Sequence, residues 1–225
     1  LNERVTKHLV ELSLSQENAH ARLLPNVKMR WSADQAAILY SIHLFDLNNG
    51  SDYLSEPKKR WLNYMKNSGT HPKTGLFITE VMGVKKYSKE PRGCSLSYML
   101  YYMLQFEPYL ANKQWELYEK YMGINRFGAD GYREYLPTFK GKWTPDSGPV
   151  IFGLGVAATG LSLKFLAVSG ESSKFWSILK FGRAVYLILD LIRPIPFIGR
   201  LCLLGTDLLS TSIMLAARSG ERRYV

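Results

Sequence analysis

Three short polar strings carry the residue types from which chemistry could be built. They are Arg30-Trp31-Ser32-Ala33-Asp34-Gln35, Pro91-Arg92-Gly93-Cys94-Ser95 and Asp146-Ser147-Gly148-Pro149. Each stands where an apolar, helix-period pattern begins. A fourth string, Tyr132-Arg133-Glu134-Tyr135, lies in a glycine-bearing stretch between two such patterns. Two carboxylates in one cleft can have separated pKa values, giving one acid and one base, as glycoside hydrolysis requires. Asp34, Glu134 and Asp146 are the candidates for such a pair. The same groups beside Arg30 or Arg92 would stay ionised and form structural ion pairs instead. Cys94, just inside a helix start and near Arg92, has the setting of an activated thiol. With no identifiable histidine partner, it also reads as a small buried thiol. Asp and Ser at helix starts can equally be caps for free N–H groups and nothing more.

The elements that would position these strings are helical nearly throughout. Leu9, Leu12 and Leu14 open the chain with a helical spacing, which Leu23-Leu24-Pro25-Asn26 breaks. Ser32 is expected to N-cap a helix from about Ala33 to Leu47, ended by the turn signal Asn48-Asn49-Gly50-Ser51. Further helices are expected over about Glu56–Asn67, Ser95–Phe106, Pro108–Tyr121, Pro149–Val168, Ser172–Leu191 and Asp207–Arg218. The stretch from Ser68 to Pro91 holds three glycines and two prolines, and reads as a long irregular connection. A second such stretch runs from Gly123 to Pro145. No segment reads as a convincing strand. The fold class is therefore all-α, with hairpins stacked into an α/α-barrel or partial toroid, in one domain over residues 1–225. A closed barrel of six hairpins needs about twelve helices. The chain begins at Leu1 and holds fewer, so it is expected to be part of something longer.

Tyr98, Tyr101, Tyr102 and Phe106 follow mostly i, i+3, i+4 spacing, which ordinarily means core. The same aromatics would also suit a sugar face or a terpene. Trp31, Tyr40, Arg92, Tyr98 and Tyr135 are the candidate substrate-binding residues, beside Asp34, Cys94, Glu134 and Asp146 as candidate catalytic ones.

Composition excludes several classes. The formal charge of +10 invites a nucleic-acid reading, but the basic residues are scattered and no helix-turn-helix, RNP or phosphate-loop motif accompanies them. Cys94 and Cys202 are too far apart for a metal pair, and four histidines show no ligand spacing. No metal, no cofactor and no nucleic acid is expected. Val150 to Val168 approaches spanning length, yet its glycines, alanines and Lys164 favour a buried helix. The expected partners are a small-molecule substrate, a membrane surface or an anchor outside this chain, and further copies of the chain. The compartment is open, with export or membrane association preferred.

The strings WSADQ, PRGCS, YREY and DSGPVIFGLGVAATG, in that order, resemble the linalool dehydratase/isomerase-like family of (α/α) barrels, within the six-hairpin glycosidase-like architecture. The resemblance spans roughly Trp31 to Arg218. It implies acid/base lyase or isomerase chemistry on an alcohol or alkene, using Asp, Tyr, His and Cys side chains around an apolar cavity where loops meet inner helices. Its rival is a non-catalytic binding or scaffold domain, in which the acids would be dispersed or each neutralised by an arginine.

Overall fold

The computed structural model describes residues 2–23, 28–81, 90–126, 128–138, 150–151 and 153–192, with side chains of the last helix described through 183. Asp146, Cys202 and the helix expected at Asp207–Arg218 lie outside the described residues. The chain divides into two compact units, Leu1–Tyr121 and Met122–Val225. Among the described residues there are seven helices and three two-stranded antiparallel ladders. The helical class follows from the apolar spacing; the short ladders correct the expectation that no strand would form.

The first unit runs α1 (Asn2–Leu14), β1 (Arg30–Trp31), α2 (Ser32–Asn49), α3 (Ser55–Asn67), β2 (Glu80–Val81), α4 (Gly93–Phe106) and α5 (Pro108–Met122), whose last residue opens the second unit. Helices α3 and α5 are one-sided. On α3, Trp61, Leu62, Tyr64 and Met65 are buried while Lys59, Arg60, Asn63 and Lys66 are exposed. On α5 the buried set is Leu110, Ala111, Gln114, Trp115 and Tyr118, the spacing of a single helical face. Helices α2 and α4 bury a wider arc, including Ala36, Leu39 and Ile42 on one and Leu96, Met99, Leu100 and Met103 on the other. They pack on each other more extensively than any other pair of helices.

Gly50 ends α2 in the left-handed region at φ 64°, its N–H bonded to the Asp46 carbonyl at 2.8 Å. That conformation costs glycine nothing, which is why Asn48-Asn49-Gly50-Ser51 stops the helix there. The Asp46 side chain then fixes the entry to α3. Its carboxylate accepts from the Ser51 hydroxyl at 2.6 Å, the Tyr53 N–H at 3.0 Å and the Leu54 N–H at 2.9 Å. Asp46→Ala is expected to lower unfolding free energy by about 1–2 kcal/mol, the scale of a lost cap. Urea denaturation checks it, and an unchanged midpoint would show the staple to be idle.

Within the stretch from Ser68 to Pro91, residues 76–81 are not the irregular loop that its glycines and prolines suggest. Leu76, Phe77, Ile78, Thr79 and Val81 are buried, and Trp31↔Glu80 and Arg30↔Val81 pair as an antiparallel ladder. Gln114 completes it from α5: its amide donates to the Gly75 carbonyl at 2.9 Å and accepts from the Phe77 N–H at 3.0 Å. A backbone strand cannot be buried without such partners.

The second unit contains β3 (Gly123–Arg126) and β4 (Ala129–Tyr132) as a hairpin, β5 (Val150–Ile151) and β6 (Leu154–Gly155) as a shorter one, then α6 (Val156–Ser169) and α7 (Ser172–Ile192). Its core joins Leu163, Phe165 and Leu166 of α6 with Phe175, Ile178 and Leu179 of α7. Helix α6 begins later than the apolar run from Pro149 suggested, because Val150–Gly155 is spent on the hairpin. It ends at Gly170, again left-handed at φ 86°. Among the described residues no helix is long and apolar enough to cross a membrane.

Candidate functional site

Helices α2 and α4 start side by side because Thr79 holds both. Its carbonyl accepts from the Ser32 N–H at 3.0 Å, and its hydroxyl from the Arg92 N–H at 3.3 Å. Ser32 was expected to cap α2; its hydroxyl instead donates to the Ile78 carbonyl at 3.0 Å, and Trp31 occupies the cap position without a side-chain bond. The buried strand claims the serine, since a carbonyl sealed from water needs a donor more than a helix end does. Farther along, the rings of Tyr40 and Tyr102 meet at 5.7 Å. The two helices therefore run parallel, and the polar strings WSADQ and PRGCS open them at one end.

Asp34 sits in the first turn of α2, half-buried. No hydrogen bond or ion pair reaches its carboxylate among the described residues, and burial pushes its pKa above the usual 3.8. The expected alternative, an ion pair with Arg30 or Arg92, does not form. Arg30 donates to the Gln16 amide oxygen at 2.7 Å, while the Arg92 guanidinium pairs with Glu80 of β2 at 3.1 Å. Glu80 escaped the sequence reading although Leu76-Phe77-Ile78-Thr79-Glu80-Val81 carries a signal: six residues rich in β-formers between turn residues. Cys94 is buried, with Arg92 Nη2 at 3.8 Å from its sulfur. Trp31 lies partly buried in the ladder beside Arg30, and Tyr98 is half-buried on α4.

Behind the helix starts is a buried polar cluster that the sequence did not reveal. His20 is fully buried, and its Nδ1 donates to the Asn18 carbonyl at 2.8 Å. A carbonyl only accepts, so Nδ1 carries the proton and Nε2 is bare. Nε2 accepts from the Trp61 indole N–H at 3.1 Å, and the Ser32 oxygen, whose proton goes to the Ile78 carbonyl, also lies 3.1 Å from it. Tyr64 stands edge-on to the same ring at 5.4 Å. Burial pushes the imidazole pKa down to about 4. Serine and histidine at this spacing are the parts of a nucleophile, but both are sealed at 0% exposure, so the pair serves packing.

The second unit carries Glu134 and Tyr135, just beyond β4. Glu134 is buried, Tyr135 half-buried. The backbone of Glu134 presses on Gly155 at the start of α6: a Cβ there would meet Glu134 N at 2.8 Å and Glu134 Cβ at 2.9 Å. Thr159 of α6 fastens the strand before it, its hydroxyl accepting from the Tyr132 N–H at 3.0 Å. Gly155→Ala is expected to cost about 1–3 kcal/mol, the scale of overpacking against groups that cannot yield. A melting temperature equal to the parent's would disprove the close approach. Among the described residues, no group of three or more His, Cys, Asp or Glu is placed to hold a metal ion.

No family model matches the chain. No curated protein matches it by sequence. Among solved structures it is similar to a sugar epimerase from a ruminal bacterium, at TM-score 0.48 and 12% identity, over 85% of this chain and 55% of that one. The chain spans about half the length of that protein. A likeness at this level fixes neither fold nor chemistry. The resemblance to linalool dehydratase/isomerase-like proteins rests on its motifs alone.

Proposed function

We propose that the chain is an enzyme acting by acid/base chemistry on a small hydroxylated molecule, with Asp34 as the proton-transferring group. The observation that carries this reading is the state of Asp34. It is a carboxyl in a half-buried first turn, with no partner among the described residues and a raised pKa. Desolvation without compensation has no structural benefit, and it brings a carboxyl toward the pKa a catalyst needs at neutral pH. A scaffold would be expected to neutralise Asp34 with one of the nearby arginines, and neither serves it.

The architecture proposed is an α/α-toroid or part of one. Its support is the alternation along the chain: α2 and α4 bury wide arcs, while α3 and α5 between and after them are one-sided. Such a pattern suits inner and outer helices of stacked hairpins. The resemblance to linalool dehydratase/isomerase-like proteins points to dehydration or isomerisation of an alcohol, and the carboxylates to hydrolysis of a sugar. Cys94 is proposed to assist Asp34, and Trp31 and Arg92 to bind.

The test is a turnover screen of terpenoid alcohols and oligosaccharides with wild-type and Asp34→Asn protein, followed by mass-spectrometric detection of product. Turnover by the wild type alone supports the reading. A panel left intact by wild type, or converted equally by both proteins, overturns it and leaves a scaffold.

A further inference from the structure

Four tyrosines gather where α2 and α4 meet: Tyr40, Tyr98, Tyr101 and Tyr102, all half-buried. Tyr98 and Tyr102 rings meet edge to face at 4.8 Å, and Tyr101 lies 5.0 Å from Tyr102. Simple space-filling does not call for this. Phenylalanine supplies the same ring with no hydroxyl to satisfy, and the chain uses ten phenylalanines elsewhere.

The oxygens are arranged for use. Tyr102 donates its proton to the Tyr98 oxygen at 2.9 Å, which leaves the Tyr102 lone pairs able to accept. The Tyr40 hydroxyl makes no hydrogen bond among the described residues and is not sealed from solvent. Burial, then the bond to Tyr98, pushes the Tyr102 pKa far up, so this phenol stays neutral in any ordinary buffer.

Asp34 and Tyr40 border the less buried stripe of α2 on its two sides. They are six residues apart, roughly 9 Å along the axis and a third of a turn around it. On the stripe bounded by these two lie Ala37 and, one residue beyond Tyr40, Ser41, whose hydroxyl is turned back to the Ile38 carbonyl at 2.8 Å.

We propose that Tyr102 and Tyr40 are a second anchor of this site, gripping an oxygen of the bound molecule on the order of 10 Å from Asp34. The ligand class is then an elongated molecule oxygenated at both ends, such as a disaccharide or a terminal diol, in preference to an alcohol with one polar end. Tyr98 acts as a positioning residue that orients the Tyr102 hydroxyl. This inference rests on Asp34 marking the site, and its readout is binding, separate from turnover.

The experiment compares octanediol, with a hydroxyl at each end, and octanol, with one, by titration calorimetry on wild-type, Tyr102→Phe, Tyr40→Phe and Asp34→Asn proteins. Phenylalanine keeps each ring, and melting temperatures confirm that the variants remain folded. Wild type is expected to favour the diol, and each tyrosine variant to weaken diol binding roughly five- to tenfold, the worth of one hydrogen bond, with octanol unchanged. Tyr98→Phe is expected to weaken the diol less than Tyr102→Phe does. Equal binding of the two probes by wild type, binding of neither, or an equal loss of both in Tyr102→Phe overturns the anchor. If the tyrosine effects hold while Asp34→Asn keeps full turnover of the screened substrates, the anchor stands and the acid/base reading falls.

Discussion

Asp34→Asn protein is expected to turn over substrate about 10²–10⁴-fold more slowly, with KM little changed, as removal of a general acid/base predicts. Asparagine fills the same space and cannot exchange the proton. The wild-type pH profile should carry a limb set by the Asp34 carboxyl, raised from its ordinary 3.8 by burial, and the variant's profile should lack it. Stability moves the other way. The folded-state pKa of Asp34 lies above its ordinary 3.8 because burial disfavours the charged form. The unfolded chain therefore gives up this proton first, and the folded state loses stability as pH rises through that interval. At neutral pH the whole penalty is present, so the asparagine variant should melt higher than the parent. Activity down and melting temperature up, in one variant, separates a catalytic role from damage. A variant that loses both is merely misfolded, and one that keeps its activity ends the proposal.

The second large effect comes from His20 as the solution is acidified. Its folded-state pKa is pushed down to about 4, against an ordinary 6.5. Above 6.5 the ring is neutral in both states and folding is indifferent to pH. Between 6.5 and 4 the unfolded chain binds a proton that the folded chain refuses, so stability falls as pH falls. Over the full window the loss is roughly 3 kcal/mol. Geometry gives the same sign as burial. A proton on Nε2 would face the Trp61 indole N–H, which now donates to it at 3.1 Å, and two donors cannot share one bond. Urea titrations at several pH values between 7 and 4 would measure the slope for wild type and for His20→Gln. The glutamine variant should be less stable at pH 7 and should show a shallower fall below it. Parallel slopes would mean that His20 takes its proton in the folded state.

Much of the fold was legible because helices announce themselves through spacing. The expected helix at Glu56–Asn67 and the observed α3 at Ser55–Asn67 differ by one residue, and Gly50 ends α2 where Asn48-Asn49-Gly50-Ser51 said it would. What failed was long-range. Ser32 has the composition and place of a cap, and nothing nearby in sequence shows that a buried carbonyl at Ile78 needs its proton. Arg92 was expected to bind substrate or to pair with Asp34, Glu134 or Asp146; the partner it has, Glu80, sat in a stretch whose glycines and prolines suggested a loop. His20 shows no motif at all; its role exists only once Trp61, Ser32 and Asn18 surround it. Asp34 was legible as a candidate, while its lack of a counter-ion was a matter of which arginine reached where.

The hold that Thr79 keeps on both helices also governs how this end of the molecule is born. Ser32 meets Ile78 across 46 residues and Arg92 meets Thr79 across 13, so neither bond can form until the intervening chain has looped back. Closing such loops costs entropy before any contact repays it. Helices α2 and α4 can each flicker into shape early, from local spacing alone. Their starts, and Asp34 with them, acquire fixed positions only when the 76–81 segment slots between them. The neighbourhood of Asp34 should therefore be among the last parts of this unit to gain amide protection during refolding, and it should gain it all at once.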